Sequence, residues 1–407
     1  MSPTEAYQQV RSEISDALDP ALTLSHHHVP WMDPQADQLI AESFHRGASD
    51  DAVHPQLHYV QQQVVAMLSE LCNIPDHRQP TGAITTGTLE AALLAGIAHR
   101  WRWRSQRAAP TGQPNIVVAA DEPQAWLRFG RYFDVEPRVA PLSPGSFTLA
   151  PDTVAELVDE NTVTVAATLA TAFNGEPDPV VELSEVLDTV EAREGWDIPL
   201  HVDASAGAFI LPFTEPELIW DFRLPRVKSI SISSHQYGGV YPGVGWLLFR
   251  EPGDLPIELL FDLRVNGRME PAFSLTSSRG GALAVGQYYN LLRHGRRGYH
   301  ELASGVLTNA RYLAQRLAAV ERFQLIGSAQ QLPIVAVCTP IEAERSTLHT
   351  LSDLLRQRGW LVRATIIPAT PEPLALLRFV VMEHFSTDMA DMLVRDILED
   401  LEAIERQ

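Results

Sequence analysis

Residues 229–246 read SISISSHQYGGVYPGVGW. The run opens as a strict alternation, Ile230 and Ile232 on one side, Ser229, Ser231 and Ser233 on the other. β-Branched residues at period two specify a strand whose two faces meet different surroundings. Ser234, His235 and Gln236 close it with a polar turn, and glycines follow. Just upstream, HVDASAG at residues 201–207 also ends a short strand, on the carboxylate of Asp203.

Working outward, residues 115–120, 162–168, 199–203, 229–233 and 244–249 read as buried strands with helical stretches between several of them. That is the pattern of an α/β unit with a mainly parallel sheet. From about residue 294 the chain turns helix-rich, then alternates strand and helix. Residues 309–320, 348–358 and 389–404 carry helical spacing. We expect an arm over residues 1–60, a large α/β domain over 61–300 and a small α+β domain over 301–407. In the arm, WMDPQA at residues 31–36 starts a helix, with Asp33 placed to cap and Pro34 in its first turn. Another helix runs from Gln61, with Val64, Val65, Leu68 and Leu71 at helical spacing.

A net charge of −20 over 407 residues argues against nucleic acid or an anionic membrane as the main partner. No apolar run reaches the roughly 18 residues of a membrane span. The N-terminus MSPTEAYQQV lacks the apolar centre of a signal peptide. Cys72 and Cys338 suggest no disulfide framework, so a cytoplasmic protein is expected. The chain has a single lysine, Lys228. It precedes Gln236 by about 26 Å of strand, which assigns it a structural role.

The quoted stretches, with WMDPQA and WDFRLPRVKSIS (residues 220–231), resemble the group II pyridoxal-phosphate (PLP) decarboxylases related to glutamate decarboxylase. The resemblance covers most of the chain, from near residue 20 to near residue 405. It implies the fold type I architecture of PLP-dependent transferases, a homodimer whose arm wraps the partner, and a small amino-acid-like substrate. It also implies that Asp203 pairs with the pyridine nitrogen and keeps the ring protonated. Thr86, Gly87 and Thr88, opening a helix, would hold the phosphate; a capped helix with no ligand gives the same pattern. Ser233, His235 and Ser278 would line the phosphate end. Arg378 would bind the substrate α-carboxylate with its planar fork, although a structural ion pair is the ordinary role of a lone arginine on an apolar strand. In that family a lysine stands at the position of Gln236 and carries the cofactor as a Schiff base. A glutamine amide cannot do so. Leu89 replaces a hydroxyl residue of the phosphate site, and Pro123 stands where an imidazole or amide usually stacks on the ring, with Gln124 beside it. No covalent PLP is therefore expected; non-covalent PLP stays open.

Eight of the fourteen histidines fall in the first 99 residues. In the resembled family the segments aligned with residues 24–30 and 50–58 approach the substrate. If residues 26–28 are extended, His26 and His28 point the same way. If Pro55 opens a helix, His54 precedes it and His58 lies one turn along. The two pairs are candidate ligands for a transition metal. His26, His28, His235 and Gln236 are candidate catalytic residues, and His54 a substrate contact. A histidine-rich rim with no metal is the alternative. His45, His77 and His99 are read as surface or satisfied histidines.

Three functional readings follow. One is a divergent enzyme acting on an amino acid or amine derivative without a Schiff base, with or without a metal. Another is an inactive homologue that binds a ligand or an active paralogue. The third is an ordinary amino-acid decarboxylase carrying an engineered Lys→Gln change. The first is preferred, because Asp203 and Arg378 look maintained while the cofactor anchors are altered.

Overall fold

The computed structural model describes residues 1–14, 19–27, 31–47, 54–76, 79–106, 112–120, 124–142, 145–265, 268–276, 280–326, 329–339, 345–367 and 374–406. Three helices come first: α1 (Pro3–Glu13), α2 (Pro34–Ser43) and α3 (Pro55–Leu71). Helix α1 closes a capping box, Ser2 with Glu5, yet buries none of its residues. Helix α2 starts where expected, but the Asp33 side chain does not cap it. The Asp33 carboxylate instead accepts from the Tyr289 hydroxyl at 3.2 Å and lies 3.5 Å from Arg293. Helix α3 begins at Pro55 rather than Gln61, because a proline costs nothing where the first-turn N–H groups have no partner.

Alternation then builds a seven-stranded sheet of β1 (Thr81–Thr85), β2 (Asn115–Ala119), β3 (Glu136–Ala140), β4 (Thr162–Thr168), β5 (Leu200–Asp203), β6 (Val227–Ser233) and β7 (Gly245–Phe249). The order is β1-β7-β6-β5-β4-β2-β3. From β3 to β6 the pairings are parallel, and β7 runs antiparallel to both β6 and β1. Ile230 and Ile232 enter the main core beside Val202, Trp246 and Leu248. Ser229 and Ser231 face the other way, in register with Phe249 and Leu247. That second face is covered by α4 (Thr88–Ser105), next to α5 (Gln124–Phe133). The remaining helices of this part are α6 (Pro151–Leu157), α7 (Val180–Glu194) and α8 (Leu211–Thr214).

A hairpin, β8 (Phe261–Val265) with β9 (Arg268–Ala272), precedes the long helix α9 (Ala282–Ala318). Gly295 breaks α9 at φ 55°, a left-handed conformation that glycine adopts cheaply. Residue 300 lies inside α9. Beyond it come β10 (Gln324–Leu325), β11 (Ile334–Cys338), β12 (Arg363–Ile367) and β13 (Leu374–Val380), all antiparallel in the order β10-β11-β13-β12. Helices α10 (Arg345–Gln357) and α11 (Thr387–Glu405) complete this layer. The architecture is the α/β fold expected: a mainly parallel sheet with a small antiparallel C-terminal sheet. Cys72 and Cys338 are buried free thiols. Among the described residues no helix is long and apolar enough to cross a membrane.

Candidate active site

A pocket of about 370 Å³ opens where β5 and β6 end against β13. Parallel strands deliver side chains to this edge of an α/β sheet. Asp203 comes from the end of β5, and His235 and Gln236 from the turn after β6. Thr88 comes from the start of α4 and Arg378 from β13. The turn holding Gln236 is pinned on both sides. The Trp246 indole donates to Ser234 Oγ at 3.0 Å, and Ser233 Oγ lies 2.9 Å from His235 Nδ1. Tyr237, next to Gln236, takes a left-handed φ of 63° and donates its hydroxyl to the Val381 carbonyl at 3.1 Å. A bulky residue there is strained and persists only where its surroundings fix it.

Burial pushes the Asp203 carboxyl above its ordinary range, while hydrogen bonds from the hydroxyl and amide of Ser205 and from Ser231 pull it back. The Ser205 amide donates at 2.9 Å. His235 is pushed down by burial and by nearby His26, so it is a neutral ring at pH 7. At the start of α4, Thr86 is exposed, and its donors are taken within the chain. Its amide and hydroxyl donate to Glu90 Oε2 at 2.7 and 2.8 Å. Thr86, Gly87 and Ser233 do not line the pocket; Thr88 does, beside the first-turn amides of α4, which have no intrahelical acceptor. Leu89 is exposed and lies off the pocket wall. Ser278, Pro123 and His28 lie outside the described residues.

Buried Arg378 donates to the Ala172 carbonyl and, at 3.0 Å, to the Ser25 carbonyl. Carbonyls orient the guanidinium fork without cancelling its charge. Its register partner across β12 is Arg363, which also lines the pocket. Like charges directly opposite on paired strands repel, and an anion between them relieves the repulsion. Arg363 was missed because nothing in its local sequence shows which residue β12 sets opposite Arg378.

Of the expected N-terminal pairs, His26 is at the pocket and its partner His28 lies outside the described residues. His26 and His27 both line the pocket, since the chain bends there instead of extending. His27 Nε2 is buried with no hydrogen-bond partner among the described residues, and its ring meets Tyr237 edge-on at 5.0 Å. Burial, and then the charge of Arg378, hold His27 well below the usual histidine range. His54 and His58 do not line the pocket. His54 stands 6.2 Å, ring to ring, from His45, and His58 bonds to Gln62 on its own helix. Among the described residues no group of three or more histidine, cysteine or acidic side chains is placed to hold a metal. His45 is exposed and His99 buried, bonded to Ser229; His77 lies outside the described residues. Lys228 is engaged away from the pocket, its Nζ 3.7 Å from Asp254 and 3.9 Å from Glu251.

One carboxylate on the wall is structural. Asp178 accepts from the amides of Leu149 and Thr168, both at 2.7 Å. Burial raises its pKa from 3.8 to about 6. The folded state therefore binds more protons than the unfolded one between those values, and stability falls as pH rises through that window. The loss amounts to about 3 kcal/mol. Asp178→Asn lowers stability at every pH, because an amide N–H then faces a backbone donor, but it flattens the slope. Urea midpoints at pH 4 and pH 7 check this; equal slopes in the two proteins would contradict it.

The donor set suits a flat, anionic heteroaromatic group: a carboxylate for a cationic ring nitrogen, helix N–H groups for an anion, and no lysine to bond it. The family model described as the pyridoxal-dependent decarboxylase conserved domain matches residues 4–339. Glutamate decarboxylase 2 of Arabidopsis thaliana is 38% identical over 405 residues, covering 98% of this chain and 82% of that protein. Glutamate decarboxylase of Aliivibrio fischeri is 35% identical over 400 residues, covering 97% and 86%. The solved structure of Lactobacillus brevis glutamate decarboxylase superposes with a TM-score of 0.95 at 32% identity, covering 100% of this chain and 94% of that one.

Proposed function

Because the chain belongs to the pyridoxal-dependent decarboxylases, we propose that its pocket takes an acidic amino acid or a close derivative and works on it with PLP held non-covalently. The observation carrying this reading is that Asp203, Arg378, Arg363 and Gln236 line one pocket while the chain's single lysine is tied to Asp254 elsewhere. Asp203 would meet the ring nitrogen, and Thr88 with the start of α4 would hold the phosphate. When bound, the cofactor supplies an electron sink for charge developing on the substrate. Arg378 would grip one carboxylate and Arg363 the other. His235 and His27, kept neutral, are placed to accept and return a proton. Gln236 would hold the substrate amine by hydrogen bonds in place of a covalent link. No metal is needed for this assignment, and His54 and His58 have no part in it.

Borohydride reduction of the protein with PLP tests the reading. We expect saturable, dialysable binding of one PLP per chain and no fixed adduct. An adduct on Lys228, or no binding at all, would sink it. Release of carbon dioxide from glutamate separates a working enzyme from an inactive ligand-binding homologue.

We also propose a homodimer. Helix α1 exposes Tyr7 and Val10 at 58% and 53%, its C-cap Ile14 is 71% exposed, and the helix buries nothing, so it lacks an apolar surface to pack on. Helix α2, by contrast, packs on the chain's own α9, with Ile40 and Met32 close to Gly286. Deleting residues 1–14 should leave the fold and weaken the dimer. Sedimentation of the full chain as a stable monomer at micromolar concentration would reject it.

A further inference from the structure

The glycine pair that follows Gln236 and Tyr237 leans on the long helix α9. Asn290 Nδ2 donates to the Gly238 carbonyl at 3.2 Å and to the Gly239 carbonyl at 2.8 Å. The Tyr299 hydroxyl donates to the same Gly238 oxygen at 3.3 Å. Asn290 and Tyr299 are buried, and both stand on α9, nine positions apart. In an unbroken helix nine residues advance about 13 Å and turn through about 900°, which puts the two side chains on opposite faces. They meet on one carbonyl because Gly295, between them, leaves helical geometry at φ 55° and ψ −167°. Glycine alone adopts that conformation cheaply.

We propose that Asn290 and Tyr299 are positioning residues: brought together by the break at Gly295, they clamp the Gly238 carbonyl and so fix where residue 236 sits in the pocket. The contact works in one sense only. Gly238 and Gly239 present carbonyl oxygens to Asn290, so its amide must offer the NH2 group, and an acceptor in its place would repel both. The Tyr299 ring is itself held in place. It stacks on Phe213, with centroids 5.4 Å apart and planes at 18°, and its centroid lies 5.2 Å from that of Phe209. Phe209 also closes on the turn: a Cβ on Gly238 would come within 2.8 Å of its ring and within 2.5 Å of the Ser234 carbonyl oxygen. The backbone beyond Gln236 is thus packed against Phe209 and held by three hydrogen bonds from α9.

The two halves of α9 belong to different layers, which gives the clamp its consequence for the pocket. Before the break, Gly286 lies against Ile40 and Met32, and Tyr289 bonds Asp33. After it, Asn309 donates to the Phe385 carbonyl at 2.7 Å and Tyr312 to Asp391 of α11 at 2.9 Å. The pocket is shared in the same way. Gln236 follows β6 of the large sheet, while Arg378 and Arg363 come from the C-terminal sheet. A helix that grips both layers and the Gln236 turn sets the reach from residue 236 to the two arginines. Tyr237 adds a tie of the same kind through the Val381 carbonyl, just past β13.

The clamp on the turn is independent of any ligand; its bearing on chemistry rests on the function proposed above. Hydrogen exchange of the ligand-free protein reads the clamp. In Tyr299→Phe, which keeps both ring contacts, and in Asn290→Leu, peptides covering residues 234–240 should exchange about tenfold faster or more, with β5 and β7 unchanged. Gly295→Ala should do the same through the backbone alone, since a Cβ there meets nothing within 4 Å. Unchanged exchange in any of these, once melting temperatures show a folded protein, would overturn the proposal. The bearing on chemistry is read in Gln236→Lys. Adding Tyr299→Phe to it should slow formation of the borohydride-fixable adduct with PLP by at least about tenfold. Affinity for 4′-deoxypyridoxine 5′-phosphate, which has no carbonyl to react, should fall by no more than about twofold, because residue 236 forms no bond to it. Equal losses in the two measurements would make Tyr299 a structural residue only and overturn the proposal. If neither compound binds while exchange over residues 234–240 rises, the clamp stands and the function proposed above falls.

Discussion

Gln236→Lys converts reversible binding of PLP into covalent retention, with one borohydride-fixable adduct per chain at residue 236. The side chain at this position already lines the pocket, and the turn that aims it is fixed by Ser233, Ser234 and strained Tyr237. A lysine introduced there meets neutral His235 and two arginines, so desolvation and like charge both lower its pKa and free its amine for attack. We expect a visible absorption band absent from the parent, cofactor that survives gel filtration, and an apparent affinity gain of at least about tenfold, or 1.4 kcal/mol. The substitution removes one amide and needs no backbone change. If peptide mapping finds no pyridoxyl group at residue 236 in a folded variant, the pocket does not place residue 236 at the cofactor carbonyl.

Arg378→Lys should weaken a carboxylate ligand by roughly 10- to 100-fold, about 1–3 kcal/mol. The charge survives but the fork does not. Arg378 is fixed by carbonyls from two distant segments, Ala172 and Ser25. A lysine ammonium can replace one of those contacts and then points where that contact leads it. Losing the bond to Ser25 also frees the strand of chain that carries His26 and His27 along the pocket. Calorimetry with glutamate and with the matching amine that lacks the α-carboxylate separates the two effects. Weakening of glutamate alone assigns Arg378 to the carboxylate, and equal weakening of both ligands assigns it to holding the N-terminal segment.

The sheet was legible because its signal is local. Each strand announces itself through alternation or a short buried run, and β5, β6 and β7 lie close to where the pattern put them. Asp203, His235 and Gln236 were legible for the same reason, since a strand end fixes where the next side chains go. The histidines were not. Alternation alone says nothing of His27, yet it reaches the pocket beside His26, and the bend that carries them is tied to Arg378 by Ser25, a contact 353 residues away in sequence. Helical spacing placed the start of α3 near Gln61 and left Pro55 as a conditional opening, and no spacing shows that α3 keeps His54 and His58 off the pocket wall. Thr86 is a further case: its sequence suits an anion site, and only the structure shows Glu90 taking its donors.

The division of β6 into a greasy side and a hydroxyl side also makes the strand a proofreading device for assembly. A slip of one residue against β5 would turn Ile230 and Ile232 towards α4 and drive Ser229 and Ser231 into the apolar core. The same slip would aim His235 away from the pocket. A misthreaded chain thus forfeits its core and its site together. No population of well-folded molecules with a scrambled site should accumulate, and loss of ligand binding on heating should track loss of the fold.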